Sequence, residues 1–375
     1  MIAVLSICAA AACSGDGGGD LRPSPARERT ASHSASGGAV DPSPSEEVWT
    51  ETSGGGAAMT SVVALAPGQA WAVGYKGEMG DDPFMRWDGR AWKPVRPPEG
   101  LRSPRVVSGT SADNVWVFDD DGDAWRWDGR RWSAGGRPRW PRSTVLRDAV
   151  VAGPEAVWVA GSQNIGTSNS PSYRPVLARW SPAGWSEVRS PRSSEAGINR
   201  FGAVAPDDLW AVAGSFEDGS AVEHWDGRRW RTIPLPLSLN GAKIDFRDIV
   251  AVSAQEIWVV GSVLRPGRRQ AALLMRWDGG RWNLVDVPAG ANSFGSVASD
   301  GHGGVLIGAS NYHYDDHRIL LRFDGRSWTY EEAPGDNRAP AVFDLARVPG
   351  DDQVFAVGGN PSYDEDSRGW IWTRR

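Results

Sequence analysis

The chain has few of the residues that usually carry exported folds or chemistry. Of its 375 residues only two are cysteines, Cys8 and Cys13. If Cys8 leaves with a cleaved leader, one cysteine remains and no internal disulfide can form, so the fold must rely on packing and closure. There is no basic excess: Lys and Arg number 40 against 46 Asp and Glu, a net charge of −6. That balance lacks the electrostatic footprint of a nucleic-acid partner. Beyond the first residues no long hydrophobic run occurs, and that first run is too short to span a bilayer. Histidines number five, with neither an HExxH pair nor a Ser/His/Asp spacing. No cofactor motif is present, and we expect neither a cofactor nor a metal. The segment Tyr312 to His317 (YHYDDH) and the carboxylates of Asp119 to Asp123 (DDDGD) have metal-compatible residue types. The first reads better as a solvated loop, the second as a short turn.

What the chain has in quantity is tryptophan, 21 residues. Most recur in a fixed frame, plainest as WDGRAW (Trp87 to Trp92), WDGRRW (Trp127 to Trp132), WDGRRW (Trp225 to Trp230) and WDGGRW (Trp277 to Trp282). Self-similarity at a period of about 40 to 50 residues signals a repeat architecture, either helical pairs or four-stranded propeller blades. The runs between the tryptophans are short, β-branched and aromatic, as in Asp248 to Val252, Ile257 to Gly261 and Leu273 to Trp277, and are bounded by Gly, Pro, Asp and Ser. These are strands. The Asp-Gly inside each WDGxxW marks a hairpin, since Gly supplies the positive φ a tight turn requires. With Gly89 and Arg90 as a two-residue loop, Trp87 and Trp92 stand opposite each other, a pairing worth about 0.2 to 1 kcal/mol.

Lettering the strands A to D from the centre outward gives strand B Trp71, Trp116, Trp158, Trp210 and Trp258. Strands C and D carry the paired residues of each hairpin, with Phe323 standing for tryptophan in the sixth repeat. Six blades are complete. A seventh is split: Leu345 to Val348, Val354 to Gly358 and Trp370 to Thr373 supply strands A to C, and Glu47 to Thr52 places Trp49 in the strand D register. We therefore expect an all-β, seven-bladed β-propeller over residues 46–375, closed by pairing of an N-terminal strand with the C-terminal blade. The tryptophans are its core, filling the space between blades.

Because neighbouring strands alternate in direction, the D to A and B to C connections share one face, and the A to B and C to D turns share the other. The B to C connections include the long Ser162 to Arg174, Ser262 to Gln270, Ala309 to His317 and Gly359 to Arg368. Long connections on a rigid scaffold are where binding usually resides. Tyr75, Tyr173, Tyr312, Tyr314 and Tyr363 all fall there, whereas Tyr330 does not. Tyrosine suits recognition, offering apolar area with a polar tip. At the entry to strand A the frame places Ser61, Arg105, Asp148, Arg200, Asp248, Ser296 and Asp344 around the channel mouth on this face. The charges among them read as inter-blade ion pairs or as a polar mouth for a ligand. On the opposite face Arg90, Arg130, Arg131, Arg228, Arg229, Arg281 and Arg326 stud the C to D turns, a solvated rim or a surface for anionic lipid.

Residues 1–12 form an apolar run ending in small residues, as a secretory signal does. The AAAC at Ala10 to Cys13 resembles the lipobox of bacterial lipoproteins, which implies that Cys13 becomes the acylated first residue of an exported, membrane-anchored chain. No Lys or Arg precedes the run and Ala10 stands where Leu is preferred, so ordinary signal-peptidase cleavage and an uncleaved apolar tail remain alternatives. Residues 13–45 are rich in Gly, Ser, Pro and Ala and read as a disordered tether.

The segments DLWAVA at Asp208 and EIWVVG at Glu256, with the WDGxxW hairpins, resemble the repeats of actinobacterial propeller lipoproteins of uncharacterised activity. Blade two, NVWVFDDDGDAWRW, is similar to tectonin repeats, which implies sugar binding as one role. WD40 repeats carry an upstream Gly-His that is absent here, kelch repeats a double Gly, and the Asp-box one residue between its Asp and Gly. The sequence thus leads us to expect a monomeric, non-catalytic binding or scaffolding module on the outer face of the cytoplasmic membrane, with a surface protein or cell-wall glycan as partner. The alternative is an extracellular carbohydrate-active hydrolase or lyase. A sialidase-like site could draw arginines from Arg105, Arg147, Arg200 and Arg247, but no glutamate stands near the mouth.

Overall fold

The computed structural model describes residues 43–44, 49–56, 58–74, 84–167, 172–189, 197–215, 219–309, 319–334, 341–359 and 369–375. Among them the only helical element is one turn, Leu237–Leu239. All else regular is β, in seven sheets of at least four strands. The innermost strands, in order, are Met59–Ala66, Pro104–Ser111, Thr144–Gly153, Ile198–Ala205, Lys243–Ser253, Phe294–Ser299 and Ala341–Arg347. Each contacts the next and the seventh contacts the first, closing a ring of seven blades.

The hairpin frame is realised in every complete blade. Trp87 pairs with Trp92, Trp127 with Trp132, Trp180 with Trp185, Trp225 with Trp230, Trp277 with Trp282 and Phe323 with Trp328. The motif aspartate makes the turn: Asp88 Oδ1 accepts the amides of Arg90 and Ala91, both at 2.9 Å. Asp128, Asp226, Asp278 and Asp324 do the same in their own hairpins. Gly89 follows at φ 96°, a conformation that only Gly adopts without strain.

The tryptophans build the joints between blades. The strand B ring of one blade packs under the hairpin of the next: Trp71 lies 5.6 and 5.4 Å from Trp127 and Trp132, and Trp116 lies 4.8 and 6.4 Å from Trp180 and Trp185. Trp158 repeats this against Trp225 and Trp230, and Trp210 against Trp277 and Trp282. Phe355 of the seventh blade meets Trp87 and Trp92 of the first at 5.2 and 5.1 Å, so the joint runs through the closure. An arginine one residue before the strand C aromatic covers the strand B ring, as Arg86 does over Trp71 (5.1 Å) and Arg276 over Trp258 (5.1 Å). Blade four has His224 there, stacked on Trp210 at 4.4 Å.

Closure follows the register read from the sequence. Trp49–Gly56 pairs antiparallel with Gly369–Arg374, placing Trp49 opposite Arg374 as Trp92 is placed opposite Trp87. Two residues assigned to the tether, Ser43–Pro44, add a short fifth strand parallel to Trp328–Glu331 on blade six. A strand paired with the propeller therefore lies before the first propeller residue expected from sequence.

Candidate functional site

The mouth of the ring on the long-loop face is shaped by one recurrent irregularity. Every innermost strand carries a β-bulge near its start, at Thr60, Arg105, Arg147, Asn199, Arg247, Gly295 and Phe343. A bulge leaves its own residue off the ladder and re-aims the neighbouring side chains. The residues that follow are Ser61, Val106, Asp148, Arg200, Asp248, Ser296 and Asp344, opposite Val73, Phe118, Ala160, Val212, Val260, Gly308 and Val357. This corrects one residue of the sequence register: the position in blade two belongs to Val106, and Arg105 is a bulge residue equivalent to Arg147 and Arg247.

The buried members of the ring staple each blade to the next. Asp148 Oδ2 accepts the amide of Phe201 at 2.8 Å, Asp248 Oδ2 that of Val297 at 2.8 Å, and Asp344 Oδ2 that of Val62 at 2.9 Å. The second oxygens of Asp248 and Asp344 accept the amides of Ile249 and Leu345, both at 2.9 Å. Ser61 Oγ accepts the amide of Val107 at 3.2 Å. Arg200 sits between two of the acids, 3.8 Å from Asp148 and 4.0 Å from Asp248. Burial pushes the carboxyl of Asp148 up to about 6, against the opposing pull of Arg200. Burial likewise pushes Asp248 up to about 7, and Asp344 is raised for the same reason. Arg200 pulls all three down, and the charge of Asp344 raises the other two.

The bulge arginines differ from one another. Arg105 donates to Asp120 Oδ1 at 2.9 Å, and Arg247 pairs with Asp245 at 2.6 Å. Arg147, exposed at the mouth, has no carboxylate partner among the described residues. Desolvation by the surrounding protein and the charge of Arg105 hold its guanidinium below the usual value, partly offset by Tyr173. Tyr173 is 39% exposed and ends the strand ladder of blade three opposite Asn164. The connection Ser162 to Arg174 is therefore a hairpin rather than a loose loop over much of its length. Arg105 and Tyr173 are thus both within electrostatic reach of Arg147. Tyr75, Tyr312, Tyr314 and Tyr363 lie outside the described residues, as do Cys13, His313 and His317.

Asp119 to Asp123 makes a short turn. Asp119 Oδ1 accepts the amides of Asp121 and Asp123 at 3.1 and 2.9 Å, and burial raises its carboxyl to about 6. Among the described residues no cluster of His, Cys, Asp and Glu is fit to hold a metal. His224 pairs with Asp208 at 2.8 Å and His302 with Asp352 at 3.0 Å.

No protein-family model and no curated protein matches the chain. Solved structures do, and they are propellers. YCF48 bound to D1 peptide matches with a TM-score of 0.60 at 15% identity, covering 89% of this chain and 98% of that one. The catalytically inactive virginiamycin B lyase from Staphylococcus aureus with quinupristin matches at 0.58 and 12% identity, over 86% and 97% of the two chains. The WD40 propeller domain of Doa1 matches at 0.56 and 9% identity, over 87% and 97%. This likeness establishes the fold: the chain is a seven-bladed β-propeller.

Proposed function

We propose that the protein is a cell-surface lipoprotein, anchored through Cys13, whose propeller is a non-catalytic module binding a partner protein by its long-loop face. The observation that carries this reading is Arg147 at the mouth of the ring, within electrostatic reach of Arg105 and Tyr173. Arg147 stands exposed and without a carboxylate partner among the described residues, and Tyr173, which acts on it electrostatically, is itself exposed. An arginine and a tyrosine of this kind are the residue types that anchor protein interfaces.

The acids of the mouth support binding over catalysis. Their oxygens are occupied by the amides that hold the blades together, so they are not free to shuttle a proton to a substrate. Three of the four arginines that a sialidase-like site would recruit are already matched with carboxylates of this chain. That YCF48 is a propeller of this size with a bound peptide supports a peptide segment as the kind of ligand. A glycan is the second reading, favoured by the blade-two resemblance. On the opposite face the exposed arginines of the C to D turns suit an anionic membrane, which would leave the long-loop face outward.

The test is a photo-crosslinking amino acid at position 173 of the full chain in the source cells, with position 130 on the opposite face as control. A discrete protein adduct at 173 alone is expected. A carbohydrate adduct would transfer the role to a glycan, and equal labelling at both positions would refute the assignment of the face.

A further inference from the structure

A second basic feature lies on the same face, away from the mouth, where blade five meets blade six. A groove of about 720 Å³ is bounded by two tight turns. One is Arg265 to Arg268, closed by the Arg268 amide donating to the Arg265 carbonyl at 3.0 Å, with Gly267 at φ 68°. The other is Pro288 to Ala291, closed at 3.3 Å with Gly290 at φ 84°. Both have the glycine that a type II turn requires at its third position. The turns are tied to each other: the Ala272 amide donates to the Ala291 carbonyl at 2.8 Å, and Gln270 Nε2 to the Asn292 carbonyl at 3.4 Å. The groove is therefore shaped by the two turns and the hydrogen bonds between them.

Its chemistry is one-sided. Arg265, Arg268 and Arg269 line it, all exposed, and no lining residue is acidic. None of the three makes a hydrogen bond or ion pair through its side chain among the described residues, although most ion pairs among those residues are built on arginine. Three unpaired guanidinium groups within five residues repel one another, and an anionic occupant relieves that repulsion. Between them Ala271, Val287 and Ala291 give an apolar surface, with no aromatic ring among the lining residues on which a sugar could stack.

We infer that this groove binds an acidic peptide segment, one that carries carboxylates among small apolar side chains. The guanidinium fork matches a carboxylate in two parallel hydrogen bonds, and the apolar surface takes the side chains between. A phosphate-bearing polymer would use the arginines but leave that surface uncovered. The inference rests on the reading that this face meets proteins, and it adds the charge and character of the segment recognised.

The experiment measures fluorescence anisotropy of a labelled peptide of alternating aspartate and leucine with the full chain at low salt. We expect saturable binding that weakens with added salt and is reduced about tenfold or more, a loss of about 1.4 kcal/mol, in the triple variant Arg265→Gln, Arg268→Gln, Arg269→Gln. An asparagine and leucine peptide is expected not to bind. Undiminished binding to the triple variant, or equal binding of the asparagine peptide, overturns the inference. So does a result in which polyphosphate binds the wild type but not the variant while the peptide binds neither. Should the triple variant melt early, Arg268→Gln alone and the salt dependence of the wild type decide. Failure here with a protein adduct at position 173 removes only the groove; peptide binding without that adduct removes only the mouth.

Discussion

Glu331 Oε2 accepts the indole N–H of Trp49 at 2.6 Å, across 282 positions of sequence. The same carboxylate takes Arg374 through both of its oxygens at 3.0 to 3.2 Å. Glu331 ends the outer strand of blade six and is 2% exposed. Trp49 and Arg374 are opposed residues of the composite seventh blade. One buried acid therefore ties both strands of the seam to blade six, the seam being the pairing inside blade seven where hydrogen bonds alone join Trp49–Gly56 to Gly369–Arg374.

Removing that acid leaves a mostly buried arginine and an indole N–H without partners. Such a broken buried pair costs about 3 to 5 kcal/mol, so Glu331→Ala should unfold at clearly lower urea concentration. Glu331→Gln keeps an acceptor for Trp49 and should lose less. A midpoint for Glu331→Ala within experimental scatter of the wild type would show that the ring closes on strand pairing alone.

The closure was legible because Trp49 recurs in a frame fixed by six other blades, and a repeat makes each unit a control for the rest. The mouth was less legible for a physical reason. A β-bulge shifts the phase of the apolar and polar alternation by one residue, so alternation alone does not tell Arg105 from Val106. The ten-residue spacing to the strand B tryptophan, constant in blades one, three, four and five, does separate them and picks Val106 before Trp116, as the strand pairing does. The arginines of strand C recur before the strand C aromatic in MRW, WRW and ARW, a recurrence that by itself names no partner. Their role depends on standing directly opposite the strand B tryptophan on the adjacent strand, as Arg86 does opposite Trp71 and Arg276 opposite Trp258, which a linear frame does not display. Asp148, Asp248 and Asp344 read from the sequence either as inter-blade ion pairs or as a polar mouth; their main partners are backbone amides, which leave no trace in side-chain patterns.

Blade three offers a stabilising change. In blades two, four and five the strand B indole donates to a side chain two residues earlier: Trp116 to Asn114, Trp210 to Asp208 and Trp258 to Glu256. In blade three that position is Ala156, and Trp158 Nε1 and Arg179 Nε are buried without partners. Ala156→Asp supplies an acceptor to both, as Glu256 does for Trp258 and Arg276. A gain of about 1 kcal/mol is expected, read as a rise in melting temperature of a few degrees. A fall would mean that the joint with blade four has no room for the carboxylate.

Membrane attachment has a direct test. Cys13→Ser in the full chain should move the protein from the membrane fraction to the soluble fraction of the source cells, and should abolish incorporation of labelled palmitate. Retention in the membrane without label would assign anchoring to the apolar leader instead.

Stability should peak on the acid side of neutrality. The folded carboxyls of Asp148 and Asp248 titrate at about 6 and about 7, above the ordinary 3.8. In that window the folded state binds more protons than the unfolded chain, so stability falls as pH rises from about 4 to 7. The hairpin aspartates act in the opposite sense. Hydrogen bonds from Asn283 and the amides of Arg281 and Gly280 hold Asp278 at about 2, and amide donors lower Asp128 and Asp226. Their contribution is complete above about pH 4 and is lost as pH falls through 2, though these groups are exposed and solvent screening keeps it small. The two trends place the optimum near pH 4 to 5. In Asp248→Asn the protonatable group is gone, so the decline between pH 5 and 7 should become shallower even though the variant loses one acceptor and is less stable overall. An unchanged slope in melting temperature against pH would place the titrating groups elsewhere than at the channel mouth.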